Sequence, residues 1–456
     1  VSAAPGRWQL PLAAVAFAVL AAALLALYWL PEAKLLAGDE RAFYQPAALA
    51  LLAGGDWFDR QMLWPPLQVL FLAALFALPG PDILAVQLGQ LALLAGAGWL
   101  LRGLWLALTG DRVAAGWAGV LLAVNPLTIA FATYLWPEIV HLFLSLALAR
   151  LLLAARRAPT RGRSVALAAA AGVAAGLCLL SKSLLTAFWP LLVLALVLRT
   201  PWPAAALRAA AFMAAMLLVT APALLRGAEQ TGRAQIADSS WFNLWTGLAD
   251  RYRSDLVDDQ TGPRLAAYLA SAPDHAGRVA FARAQAQALV ESQGLAATVG
   301  KQLGTQYFRL FDARNFLVAQ LPGPACRGYN SHYTLPPSAL SRAIDYGARA
   351  WHLALLVLFA LGLAAWRDWR APWLWLTAAF VGYQLALFLG LHVKSRFLLP
   401  MLPVICMFAG HLLAQLPQSG LASSPLPPWR RALGLALAAI LVVLALAGPV
   451  LDQACA

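Results

Sequence analysis

An all-α polytopic membrane protein is the architecture this sequence predicts, on three observations. Of its 456 residues, 62% are hydrophobic and 12% charged, with a mean hydropathy of +0.70, whereas ordinary soluble domains are roughly 45–50% apolar. Apolar runs near the roughly 20 residues needed to cross a bilayer recur about eleven times along the chain. The arginines alternate with those runs as a membrane topology demands. With the N-terminus inside, the inner loops carry arginines from Arg7 and Arg102, through the Arg156–Arg163 cluster, to Arg430 and Arg431, and hold only Asp111 and Asp368 as acids. Cationic inner loops are what orient spans in a bilayer.

The spans are predicted near residues 9–30, 83–106, 113–132, 137–155, 164–181, 184–199, 204–225, 347–366, 371–391, 397–416 and 431–451. The first exceeds a signal-peptide core and lacks a small-residue cleavage site, so it reads as a retained signal anchor. Residues 66–78 follow Trp64-Pro65-Pro66 and are apolar but short, and they read as a helix lying on the outer surface. Counting them as a span would put Arg156–Arg163 outside, against the charge bias. Three units follow: an N-terminal membrane module at 1–225 with its first external loop at 31–82, a large external loop at 226–346, and C-terminal membrane helices at 347–456. The large loop is partly helical, with helices predicted over Pro263–Ser271, Arg278–Ser292 and Leu295–Asp312 and a turn-rich stretch at Leu321-Pro322-Gly323-Pro324.

Charge and cysteine usage narrow the function. The net charge of +13 and pI near 10.1 are scattered over short loops rather than gathered in the stripe nucleic acid requires. No glycine-rich phosphate loop ending in Gly-Lys-Ser/Thr occurs, so no nucleotide-driven engine is encoded. Of four cysteines, Cys178 and Cys406 fall within spans. Cys326 and Cys455 fall outside, where an oxidising exterior would permit a disulfide; two unpaired thiols are the alternative.

Candidate chemistry collects at the outer span ends. Asp39-Glu40, beside Arg41, stands directly after the first apolar run. A carboxylate there can take the proton of an attacking hydroxyl, or the pair can cap a helix. Glu138, in Trp136-Pro137-Glu138, opens a later span, which suits acceptor positioning or simple complementarity to the helix dipole. Lys182, in Ser181-Lys182-Ser183, lies between two spans without other charge, where it meets an anion or snorkels to the interface. His392, Lys394 and Arg396 place two cations and an imidazole at an outer span start, a pattern suited to phosphate. Tyr44 and the tryptophans Trp241 and Trp245 are candidates for stacking on a sugar, with interfacial anchoring the alternative for the tryptophans. Carboxylates opposed by cations at the lip of a membrane are the layout for a lipid-phosphate donor. Sugar transfer from a polyprenyl phosphate needs a base for the acceptor and positive charge for the departing phosphate.

The residues carrying this layout also fall in a familiar order. An apolar span is followed by Gly38-Asp39-Glu40, Tyr44, the turn Gly54-Gly55-Asp56-Trp57, Trp64-Pro65-Pro66-Leu67 and Pro137-Glu138. Gly176-Leu177-Cys178-Leu179-Leu180-Ser181-Lys182 and Arg396-Phe397-Leu398-Leu399-Pro400 complete the series. In this order they resemble the GT-C superfamily of membrane glycosyltransferases, in the branch with the protein O-mannosyltransferases and lipid A aminoarabinose transferases. The resemblance implies the GT-C fold and an inverting transferase with a polyprenyl-monophosphate sugar donor, such as an undecaprenyl phosphate sugar. It implies Asp39 as the catalytic base, Lys182 and Arg396 at the donor phosphate and Glu138 near the acceptor. Glu40 joins Asp39 as its catalytic partner, and Lys394, Arg41 and His392 complete the candidate phosphate ligands.

The sequence also departs from that pattern. No Asp-x-Asp follows the first span, so a divalent metal is not supported, and no other cofactor is implied. With no large C-terminal soluble domain, the acceptor stays open among lipid, polysaccharide and protein. The expected setting is a bacterial inner membrane, with the site facing the periplasm or exterior. Two alternatives stand beside the transferase. A lipid or glycan transporter or flippase would place ionisable residues or broken helices at the midplane, often in repeated halves. A GT-C-like ligase or polymerase would use a diphosphate-linked donor.

Overall fold

A computed structural model describes residues 14–22, 39–250, 261–313, 339–419 and 427–451. Cys326, Cys455, the Leu321–Pro324 stretch and most of the first apolar run lie outside these residues. The described part of that run, 14–22, is helical.

Within hydrocarbon every backbone N–H and C=O must be satisfied inside its own segment, so long apolar stretches become helices. Among the described residues seven are long and apolar enough to cross a membrane: Ile83–Thr109, Glu138–Arg157, Arg161–Ser181, Trp202–Thr231, Arg342–Ala365, Ser395–Leu416 and Pro428–Ala447. Counted as one span, the pair Arg112–Ala123 and Pro126–Thr133, bent by 44°, makes an eighth. The bend falls where Pro126 has no N–H to continue the first helix and Asn125, extended, caps the second by accepting from the Leu127 N–H at 2.9 Å.

Two predicted spans take a broken route. Over 184–199 the chain makes a 3₁₀ turn, Ser183–Leu185, and then a nine-residue helix, Trp189–Val197, restarted by Pro190 in its first turn. It still joins the two ends of the bundle. Lys182 sits at one end, and the Leu198 carbonyl at the other accepts from Arg156. Over 371–391 the helix Pro372–Leu387 stops after 16 residues, and the chain reaches Lys394 through turns and extended backbone. The short apolar stretch after Trp64 forms a ten-residue helix, Leu67–Phe76, only about 15 Å long and too short to cross.

Small residues let the helices that carry Lys182 pack tightly. A Cβ added to Gly172 would lie 2.1 Å from the Phe212 carbonyl oxygen, and one on Gly176 would lie 2.9 Å from the Val219 Cβ. This small-xxx-small face is how membrane helices bring their backbones together. Helix direction then sorts charge. Glu138 begins one helix and Lys182 follows its antiparallel neighbour, so both lie at one end, while Arg156, Arg157 and Arg161 lie at the other.

The large loop begins later than predicted, because the Trp202–Thr231 helix runs on until Gly232 ends it at φ 72°. Its helices Thr261–Ala270, His275–Gln293 and Leu295–Thr305 follow the predicted ones, and the aromatic cluster is itself helical, Ser240–Ala249. The helices Ser240–Ala249, Thr261–Ala270 and His275–Gln293 share an apolar core of Phe242, Trp245, Leu248, Tyr268, Ala282 and Ala286, into which the first loop inserts Leu63. Backbone joins the loops as well. Met62, at φ 61°, accepts from the Asp238 N–H at 2.7 Å, and the Asp59 carboxylate gathers the N–H groups of Gln61, Leu63 and Trp64.

Candidate active site

The site is built on a non-helical stretch that three glutamines hold in place. Between Pro126–Thr133 and Glu138–Arg157 the chain is extended at Tyr134 (ψ 153°) and buried, so its peptide groups need partners. Gln87 donates through Nε2 to the Thr133 carbonyl at 2.9 Å, and Gln90 donates to the carbonyls of Ala132 (3.2 Å) and Tyr134. Gln68, on the short helix after Trp64, donates to the Leu135 carbonyl at 2.9 Å. Glu40 completes the strap by accepting the Leu135 N–H at 2.6 Å.

Glu40, grouped by sequence with Asp39 as its catalytic partner, is fully buried and fastens the first loop to the Leu135 backbone. Asp39 stands differently. It is half-buried at the start of a five-residue π-helix, Glu40–Tyr44, and makes no side-chain cap hydrogen bond, so capping is not its task. Such π-turns recur at functional sites. Arg41 is exposed.

Tyr44 is buried, and it reports what surrounds it. Burial holds its phenol well above the usual tyrosine range, the negative charges of Asp39, Glu138 and Asp59 add to that, and Arg396 opposes it. Asp39, Glu138 and Arg396 thus each lie within electrostatic reach of Tyr44. The Glu138 carboxylate is 3% exposed, and its Oε1 accepts from Lys182 Nζ at 2.7 Å and lies 3.9 Å from Arg396 Nε. Its other oxygen, Oε2, has no hydrogen-bond partner among the described residues.

Aromatic rings fix the second cation. The Arg396 guanidinium carbon lies 4.8 Å from the Trp136 ring centroid and 5.5 Å from that of Phe397, and Trp136 stacks on Tyr134 at 4.2 Å. Lys394 is half-buried two residues earlier, on extended backbone that opens the 3₁₀ turn Ser395–Met401. One buried carboxylate thus faces two cations at one end of the bundle, with a second carboxylate, Asp39, close by. An anion entering between Lys182 and Arg396 would meet positive charge already oriented.

Three residues grouped with the site by sequence are used elsewhere. His392 is buried with Nδ1 3.3 Å from Asp250 Oδ2, and Asp250 is also ion-paired to Arg264. Its backbone N–H donates to the Asn243 carbonyl at 3.2 Å, so His392 joins the Ser240–Ala249 helix to the stretch that carries Arg396. That helix approaches closely, since a Cβ on Gly247 would lie 2.5 Å from the His392 nitrogen. Trp245 is a core residue of the loop, edge-on to Phe281 at 5.4 Å, and the half-buried Trp241 lies beneath Arg283.

The glutamines are what sequence reasoning missed. Their signal was available, because Gln87 and Gln90 share one face of an apolar helix and a buried amide requires a partner. Gln90→Ala would strip the Ala132 and Tyr134 carbonyls of their donor. It is expected to destabilise the protein by about 1–3 kcal/mol, read as a lower denaturation midpoint in detergent. Leu88→Ala, at a position 52% exposed, should leave that midpoint unchanged. Among the described residues no three His, Cys, Asp or Glu side chains converge as a metal would need.

No family model and no curated protein matches the chain. Solved structures do. The chain is similar to the oligosaccharyltransferase AglB of Archaeoglobus fulgidus, in complex with an inhibitory peptide and a dolichol-phosphate, at 16% identity and a TM-score of 0.47. That match covers 97% of this chain and 56% of the archaeal one, so the chain spans little more than half the length of that relative. It is also similar to ArnT of Cupriavidus metallidurans in the apo state, at 16% identity and a TM-score of 0.39, over 87% of this chain and 76% of that one. ArnT bound to undecaprenyl phosphate matches over 88% of this chain and 78% of its own, at 16% identity and a TM-score of 0.38. The likeness is one of chain path.

Proposed function

We propose that the chain is an inverting membrane glycosyltransferase that moves a sugar from a polyprenyl-monophosphate donor to an acceptor hydroxyl. The observation that carries this reading is the uncapped, half-buried Asp39 set beside the Glu138, Lys182 and Arg396 cluster at one end of an apolar bundle. The donor phosphate lies between Lys182 and Arg396, with Lys394 at its edge. Asp39 takes the proton of the acceptor hydroxyl as that oxygen attacks the anomeric carbon. The bond from that carbon to the phosphate oxygen breaks on the opposite side, and the polyprenyl phosphate leaves as a stable anion. Attack opposite the leaving group inverts the anomeric centre.

Glu138 takes a different part in this scheme from the acceptor role expected of it. Its carboxylate holds the two cations apart and oriented, the work of a preorganised electrostatic site. The acceptor is a hydroxyl-bearing lipid, polysaccharide or protein at the outer face of a bacterial inner membrane, the side opposite the bundle end that carries Arg156, Arg157 and Arg161.

Binding tests the phosphate site directly. Arg396→Ala should weaken binding of a polyprenyl-phosphate sugar by about tenfold or more, the weight of a hydrogen bond to a charged group. Acceptor KM should hardly move. Loss of acceptor affinity with donor binding intact would place Arg396 on the wrong substrate.

A further inference from the structure

The end of the bundle opposite the candidate site gathers a second group of cations. The Glu138–Arg157 helix has 20 residues and so separates its two ends by about 30 Å. At its far end Arg156 donates to the carbonyls of Ala195 and Leu198. Arg161, opening the next helix, donates to the Pro203 carbonyl at 3.5 Å, and Arg208 donates to Thr200 Oγ1 at 3.1 Å. The same short stretch, 195–203, carries the exposed Arg199 at φ 59°. Arg199 and Arg208 both lie close enough to Arg156 to repel it. Among the described residues, no carboxylate pairs with any of these four guanidinium groups.

Orienting a protein in a membrane does not require this. A topological arginine need only lie on the correct side, as the exposed Arg112 does at the same end. Convergence of guanidinium groups from four segments, with no acid among them, leaves a local positive charge that only an external anion can balance. The apolar surroundings say what kind of anion. Leu194 is 48% exposed, Leu198 50% and Trp202 81%, on the very stretch that the arginines grip. Exposed leucines suit acyl chains, and a tryptophan beside them sits well at headgroup level. The Trp202–Thr231 helix also starts here without a side-chain cap, so its positive dipole end points to the same place.

We propose that Arg156, Arg199 and Arg208 form a binding site for the phosphate of an anionic phospholipid, whose acyl chains lie along Leu194 and Leu198. Basic pockets between membrane helices hold such headgroups by charge and by guanidinium hydrogen bonds. The site is independent of the glycosyl-transfer reading, since it lies at the other end of the bundle.

The test uses the full-length purified protein in mixed micelles of equal phosphatidylglycerol and phosphatidylcholine, with retained lipid counted by native mass spectrometry. Wild type should retain phosphatidylglycerol in preference. Arg199→Gln should lower that preference about fivefold, the weight of one arginine near an anionic headgroup, and Arg208→Gln should do likewise. Because Arg199 is exposed and makes no hydrogen bond among the described residues, its variant should keep the fold, which an unchanged elution profile checks. Arg112→Gln should retain lipid as wild type does. Equal retention of the two lipids by wild type, or an equal loss in Arg112→Gln, would reduce the site to general surface charge and overturn the proposal. Displacement of the lipid by inorganic phosphate alone would overturn it too, by making the site one for soluble anions.

Discussion

Asp39→Asn is expected to lower turnover by about 10²–10⁴-fold, the contribution of a positioned general base, while donor affinity is retained. The substitution keeps the shape of the side chain and removes only its basicity. Because Asp39 makes no cap hydrogen bond, the π-helix that carries it loses no support. Glu40→Ala separates chemistry from architecture, since that carboxylate holds the Leu135 N–H. Its loss should appear first as reduced stability. Initial rates at saturating donor, together with donor binding, decide the matter, and an Asp39→Asn enzyme within about tenfold of wild type would remove Asp39 from the base's role.

Glu138→Ala is expected to cost about 3–5 kcal/mol of stability, because it strands the Lys182 ammonium without its carboxylate and leaves Arg396 facing another cation. The partner replacement distinguishes stability from function. Glu138→Gln combined with Lys182→Met removes both charges, and replacing a buried ion pair with uncharged groups is often neutral for stability. The double variant should therefore unfold near wild type in denaturant yet bind donor poorly. If it recovered donor binding along with stability, the pair would be architectural and Lys182 would not be a phosphate ligand.

Much of this arrangement was legible from helix lengths and charge. Once Glu138 begins one span and Lys182 follows the next, antiparallel packing must bring them to the same end. Nothing in the sequence says that they pair, because a helix period gives a face and an end but not a partner. The same limit hid the engagement of His392 with Asp250, which lies 142 residues away. With no soluble core in view, an imidazole beside Lys394 and Arg396 looked like a third phosphate ligand. Trp245 was misread for a related reason. Stacking on a sugar or anchoring at the interface would leave its ring on a surface, but the loop has an apolar core of its own, and the ring is part of it.

Interruptions of helices were partly legible. Pro190 and Pro126 mark the broken crossings, yet the apolar runs around them score as single spans because composition does not register a missing N–H. The glutamine strap needed more than one segment to be seen. Gln87 and Gln90 meet carbonyls 42 to 46 residues away, on backbone whose extended form is itself a consequence of the strap.

The most direct measurement supplies purified protein with a sugar carried on polyprenyl monophosphate or on polyprenyl diphosphate, labelled at the anomeric carbon, together with membrane-derived acceptors. Label should pass from the monophosphate donor alone, free polyprenyl phosphate should appear in equal amount, and the product linkage should show the opposite anomeric configuration by NMR. Transfer from the diphosphate donor only, or retention of configuration, would contradict the account.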